Sequence, residues 1–266
     1  MSGVAAALAR LLGLLVIAAL SLQLYFLARV ASIAWLDPQS TAYQRSEAWR
    51  LATQKGALPW SHAWLPSARI SANLKRAVIA SEDAGFSEHS GVEWDALEKA
   101  WERNQKAEAR VEKINAQIDR RLQKAAPARA AASKPVSHVQ AKVVGGSTIT
   151  QQLAKNLFLS GERNLLRKGQ EFAITFMLEV LLSKQRILEI YLNSVEWGEG
   201  VFGAEAAARR YFHTSAASLS AAQGARLVGA RGAGKCSPTR DGHARGTRLG
   251  RLVSALVNFT FERLVG

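Results

Sequence analysis

The chain has 266 residues, 48% of them apolar, and a formal net charge of +14. That length holds one large domain or two small ones around a real core, and the charge favours anionic partners: nucleic acid, a membrane surface or a phosphorylated substrate. Cys236 is the only cysteine, which excludes an internal disulfide framework, and no Cys/His cluster offers zinc a site.

Leu11 to Ala28 run for eighteen residues without a charge. As a helix rising about 1.5 Å per residue they nearly cross a hydrocarbon core of roughly 30 Å. Arg29 can snorkel, and the apolar run continues to Leu36 with Trp35 as an interfacial residue. No small-x-small site follows before Asp37-Pro38, so an uncleaved anchor is expected rather than a signal peptide. Arg10 alone precedes the span, whereas Arg29, Arg45, Arg50 and Lys55 follow it. Local charge therefore does not place the N-terminus in the cytoplasm. Residues 1–36 read as tail and transmembrane anchor. Residues 37–68 read as a juxtamembrane entry segment, irregular and aromatic-rich around Pro59, Trp60, Trp64 and Pro66.

Ile70, Leu74 and Val78 recur at helical spacing, which predicts a helix over Ser71 to Ser81. It ends in Glu82-Asp83, followed by Gly85, Phe86, His89 and Gly91. Two adjacent acids after an apolar helix suit a general base, and a solvated acidic helix end fits the same residues. Lys99 to Lys142 differs in character: eleven basic and four acidic residues give it half the excess charge of the chain. Trp101 to Lys124 suits a polar helix, which Pro127 and Pro135 then loosen. No aromatic or glycine pattern accompanies the charge, so a mobile basic insertion (99–142) is expected rather than a nucleic-acid site, with anionic lipid as a weaker partner.

Val144 to Asn156 reads VGGSTITQQLAKN. Thr148 with Gln151 three residues on is a capping-box pattern, so a Gly-Gly turn should run into a helix N-terminus. Open N–H groups and the positive end of the helix dipole would face an anion there. Beyond it, Arg163, Arg167, Lys168 and Glu171 follow closely. Phe172 to Leu182 is apolar nearly all round, hence a buried helix. Lys184 to Asn193, Ala204 to Phe212 and Leu219 to Gly229 are further helices. Almost nothing reads as a strand, and the fold class is mostly α. Gly198, Gly200 and Gly203 satisfy G-x-G-x-x-G, yet follow a helix and lack a βαβ unit, so dinucleotide binding is not expected. Gly229 to Cys236 misses the P-loop Ser/Thr.

Five ordered blocks carry a resemblance: ASEDAGFSEHSGV (Ala80 to Val92), GGSTITQQLAKN, RKGQE (Arg167 to Glu171), KQRILEIYLNSVEWG (Lys184 to Gly198) and GAEAAARRYF (Gly203 to Phe212). Together, over residues 60 to 230, they resemble the peptidoglycan glycosyltransferases, specifically the monofunctional membrane-anchored lipid II polymerases. The resemblance implies a lysozyme-like α-helical domain (69–230) outside the cytoplasmic membrane, behind a single N-terminal transmembrane helix whose tail is cytoplasmic. It implies an inverting reaction on lipid II and the growing glycan strand, with release of undecaprenyl pyrophosphate. Glu82 matches the family's catalytic glutamate, the base. Glu171 matches the second, assigned to orienting cations or the leaving group. Lys155, Arg163, Arg167 and Lys168 are the cations for pyrophosphate. Asp83, Phe86, His89, Thr148, Gln151, Gln152 and Asn156 match positions that shape the cleft or bind substrate. No protein metal site is implied; a divalent cation, Mg or Mn, stays open as a cofactor. Penicillin-binding and cell-division synthases are further candidate partners, and nucleic acid is not one.

Two other readings fit parts of the pattern: a lytic lysozyme-like enzyme that cuts glycan, and a non-catalytic membrane scaffold of cell-wall assembly. No Ser-x-x-Lys occurs, so penicillin-binding acylation chemistry is absent. After Leu227-Val228, where the family continues into an apolar segment with a Leu-Pro-x-Pro turn, ARGAGKCSPTRDGHARG stands instead. Residues 231–266 therefore read as a divergent tail or a shifted reading frame.

Overall fold

The computed structural model describes residues 2–56, 58–125, 139, 146–159 and 165–232. The chain forms two compact units, Met1–Val92 with Thr148–Gly266, and Glu93–Ser147.

In the first unit, helix α1 (Ser2–Ser32) carries the apolar run. Its outer turns expose Leu11, Leu12, Leu14 and Leu15, and it is long and apolar enough to cross a membrane. Its last turns behave differently, because Phe26, Val30 and Ile33 are buried in the domain core. Gln23 and Gln170 exchange side-chain hydrogen bonds at 2.7 and 3.2 Å. At the exit, Arg186 donates to the Ile33 and Leu36 carbonyls and pairs with Asp37 at 2.8 Å. The apolar helix is thus continuous with the folded domain.

Helix α2 (Ala42–Lys55) starts at a capping box of Thr41 and Gln44 and ends at Gly56, whose φ is +62°. Such a cap stabilises a helix by about 1 kcal/mol. Strand β1 (Ser61–His62) follows, then helix α3 (Ala72–Glu82), capped by the Ser71 hydroxyl. α3 lies one residue later than the spacing predicts and buries Leu74, Ala77 and Val78. In the second unit, helix α4 spans Trp94–Ala125, beginning well before the expected Trp101. Its faces are largely exposed, and the Asn115 amide holds the Val139 backbone through two hydrogen bonds.

Back in the first unit, α5 (Ile149–Phe158), α6 (Leu165–Leu181) and α7 (Lys184–Ser194) supply the centre of the core. Ile149, Leu153, Ile174, Leu178, Ile187 and Ile190 are fully buried there. Strands β2 (Glu196–Gly198) and β3 (Val201–Phe202), helix α8 (Ala204–Phe212) and helix α9 (Ala221–Gly232) complete the described chain. The strands form one small sheet in the order β1-β3-β2, with β1 parallel and β2 antiparallel to β3. The glycines of the false dinucleotide motif have structural work here. Gly200 sits at φ +70° where a Cβ would overlap the Pro59 carbonyl, and Gly203, at φ +83°, opens α8. Only glycine adopts these angles cheaply.

Candidate active site around Glu82

Glu82 closes the last turn of α3. Its side chain faces a pocket of about 380 Å³ lined by Tyr43, Glu82, Lys155, Asn156, Val195, Glu196 and Arg231. That volume suits a sugar or a diphosphate group. Glu82 Oε2 accepts from Gln152 Nε2 at 3.1 Å, and Oε1 accepts from Arg231 Nη1 at 2.8 Å. The Glu82 and Arg231 side chains are each 19% exposed, so the pair is sheltered but reachable. A carboxylate has about four acceptor positions, so this one keeps capacity for a substrate hydroxyl.

In the same pocket, Glu196 accepts from the Tyr43 hydroxyl at 2.8 Å and from the Gly200 N–H at 3.1 Å. Burial pushes the Glu196 carboxyl up from its usual range, against these two hydrogen bonds. Burial likewise raises the Tyr43 phenol, helped by Glu196. Partial burial lowers the Lys155 ammonium pKa although the side chain still reaches solvent; Glu171 opposes this, and Arg167, Lys168 and Arg231 add to it. Positive charge therefore accumulates around Lys155, and an incoming anion at that side chain would offset it.

Glu171 is buried on α6. Arg167 Nη1 reaches its Oε2 at 3.2 Å and Lys168 Nζ its Oε1 at 2.5 Å. These are i,i+4 and i,i+3 pairs, which helical spacing brings together unaided. Glu171, Arg167 and Lys168 do not line the Glu82 pocket itself; their link to it is electrostatic, through Lys155.

A third group lies behind Glu82. Asp83 is buried; its Oδ2 accepts from the Ile149 N–H at 2.9 Å and its Oδ1 lies 2.7 Å from His89 Nε2. The Gly91 N–H donates to His89 Nδ1 at 3.1 Å, so the neutral tautomer protonated on Nε2 satisfies both contacts. Thr148 and Gln151 form the expected capping box, and the Thr148 hydroxyl also donates to the Gly91 carbonyl at 2.6 Å. This corrects the expectation of an anion-facing helix end. The Ile149 and Gln151 N–H groups are taken, and the anion at the N-terminus of α5 is the protein's own Asp83. Phe86 is buried beneath the Lys184 ammonium, 4.7 Å from its ring centroid. Asp83, Phe86, His89, Thr148 and Gln151 are held by these protein contacts and do not line the Glu82 pocket.

Of the expected residues, Glu82, Gln152, Lys155 and Asn156 come together at the pocket, Glu171, Arg167 and Lys168 form a neighbouring cluster, and Arg163 lies outside the described residues. Tyr43, Glu196 and Arg231 were missed. Glu196 belongs to the YLNSVEWG block, where an acid between Val195 and Trp197 is the signal that could have marked it. Arg231 lies just past the expected boundary at 230/231, within helix α9.

Residues 52–115 and 123–255 match the family described as Transglycosylase. A Cupriavidus metallidurans protein named biosynthetic peptidoglycan transglycosylase is 50% identical over 230 residues, covering 86% of this chain and 85% of the relative. A Burkholderia thailandensis protein of the same name is 50% identical over 226 residues, covering 85% and 76%. One from Ralstonia nicotianae is 51% identical over 217 residues, covering 81% and 79%.

Proposed function

Because the chain belongs to the transglycosylase family and is a peptidoglycan glycosyltransferase, we propose that it polymerises lipid II into uncrosslinked glycan, with Glu82 as the base. One observation carries this reading: Glu82 shares its pocket with Lys155 and Asn156. The arrangement puts a carboxylate for the nucleophile and a cation for the leaving group on a single cavity.

A sugar hydroxyl is a poor nucleophile at neutral pH, so a positioned base must take its proton as the new bond forms. In this reading Glu82 accepts the proton of the 4-hydroxyl of one sugar. That oxygen attacks the anomeric carbon of the growing strand, and the electron pair of the broken bond leaves on undecaprenyl pyrophosphate. Direct displacement inverts the α-linked donor to a β-linked product. Lys155, with Arg167, Lys168 and Arg163, meets the charge that develops on the departing phosphates. Glu171 holds Arg167 and Lys168 in place for that task. Asn156 and Gln152 orient the reacting groups, and the Asp83–His89–Thr148 group fixes the backbone on which Glu82 and α5 stand.

The residues at the pocket do not fit a resident divalent cation. Glu82 is paired with Arg231, Glu196 is bonded to Tyr43, and lysine and arginine supply the remaining charge. A dependence on Mg or Mn would enter with the pyrophosphate. Helix α1 supports a single-pass anchor, and we place it in the inner (cytoplasmic) membrane with the catalytic domain on the periplasmic side. Penicillin-binding and cell-division synthases are the partners that such a position favours.

The purified chain in detergent should convert lipid II to glycan, and Glu82→Gln should reduce this by about a thousandfold or more, leaving only residual turnover. Full turnover by Glu82→Gln overturns the base assignment. Solubilised cell wall in the absence of lipid II would overturn polymerisation in favour of glycan cleavage.

A further inference from the structure

Arg231 makes more contacts at the pocket than its position in the sequence suggests. It stands where the resemblance anticipates an apolar segment, so the family blocks give it no role. Its Nη1 donates to Glu82 Oε1 at 2.8 Å, its Nη2 to Gln152 Oε1 at 3.3 Å, and its Nε to the Glu196 carbonyl at 3.3 Å. The guanidinium also lies 5.5 Å from the Tyr191 ring centroid and 6.0 Å from that of Trp197. The Tyr191 hydroxyl donates to the same Gln152 oxygen at 3.0 Å, and Gln152 Nε2 closes the loop onto Glu82 Oε2.

Glu82, Arg231 and Gln152 thus form a closed ring of hydrogen bonds. Each carboxylate oxygen of Glu82 has one fixed donor from a different element, which leaves the carboxylate plane no freedom to rotate. The two aromatic faces set the depth and tilt of the guanidinium, and the Glu196 carbonyl sets its direction. Three of its N–H directions are spent on protein acceptors. That is the pattern of a group that aims a neighbouring side chain rather than one that receives phosphate.

We propose that Arg231 is a positioning residue for Glu82, holding the base's carboxylate in the orientation at which it meets the sugar hydroxyl. The proposal rests on the assignment of Glu82 as base. Lysine is a poor substitute, because one ammonium has no planar fork to span Glu82, Gln152 and the Glu196 carbonyl together.

The test is steady-state kinetics on lipid II with the full-length chain in detergent. Arg231→Ala should lower kcat by about tenfold to a hundredfold, the scale of a misplaced catalytic group, with KM within about twofold. Arg231→Lys should recover part of that loss, and inhibition by inorganic pyrophosphate should be unchanged in both. In a Glu82→Gln background, Arg231→Ala should have no further effect. A raised KM at unchanged kcat, or weakened inhibition by pyrophosphate, would show that Arg231 binds the leaving group and overturn the proposal. Wild-type kcat in both Arg231 variants would overturn it as well. If Arg231→Ala melts below the assay temperature, Arg231→Lys decides alone: reduced kcat at unchanged KM supports the proposal, and wild-type kcat overturns it. Failure of the base assignment is read separately, as full turnover that survives Glu82→Gln.

Discussion

Glu82 and Glu171 both sit among cations, yet they acquire them in different ways. Glu82 sits on α3 and draws Gln152 from α5 and Arg231 from α9, contacts that span 70 and 149 residues. Glu171 takes Arg167 and Lys168 from the preceding turn of its own helix. The first arrangement exists only when three helices have packed; the second needs one turn of helix. A base must be aimed to a fraction of an ångström, and long-range packing supplies that aim. A cation cluster for a diffuse polyanion needs charge density more than direction, and local spacing supplies it.

The largest expected effect separates the two. Glu82→Gln should cost about a thousandfold or more in kcat, within the usual range for loss of a general base. Glu171→Gln should cost about tenfold to a hundredfold, because the cations remain nearby though less well held. Equal losses on lipid II would break the distinction. Gln152→Ala sharpens it: about tenfold in kcat is expected, coupled non-additively to Arg231→Ala in a double-mutant cycle.

A smaller effect concerns the backbone behind Glu82. Gly91 has φ +89°, and a Cβ there would come within 2.8 Å of both Glu179 Cγ and Thr175 Cγ2. Gly91→Ala should lower stability by about 1–3 kcal/mol, read as a lower midpoint in urea. The smallest effect concerns Glu196 in the same pocket. Glu196 has a raised carboxyl pKa, so the folded state binds a proton more readily than the unfolded chain does. Stability should therefore fall as pH rises from the usual value of 4.5 through the raised one, and the cost is complete above it. Glu196→Gln should remove that slope in a stability–pH series. An unchanged slope would show that another group carries it.

Helix content is legible because apolar spacing and caps are local: α3 falls within one residue of its expected place, and the Thr148–Gln151 box falls on it. Glu82 and Lys155 were legible through the motif blocks that carry them. Tyr43 and Arg231 were not, because nothing around either in the chain marks it. Each becomes a pocket residue only when α2 and α9 pack beside α5 and β2. The cap is legible in the sequence; its anion is not. Asp83 sits next to Glu82 in sequence, and only the fold shows that it turns the other way, onto Ile149.

The inner turns of α1 carry a consequence for encounter. A domain on a flexible tether explores a volume that grows with tether length, and its effective concentration at the bilayer falls accordingly. Here Phe26, Val30 and Ile33 are core residues, and Arg186 clasps the carbonyls at the helix exit. In the proposed anchored arrangement, span and pocket drift through the bilayer as one body, with the pocket at one fixed height. Collisions with lipid-borne substrate then become a search in two dimensions, and lateral diffusion of the anchor sets its pace.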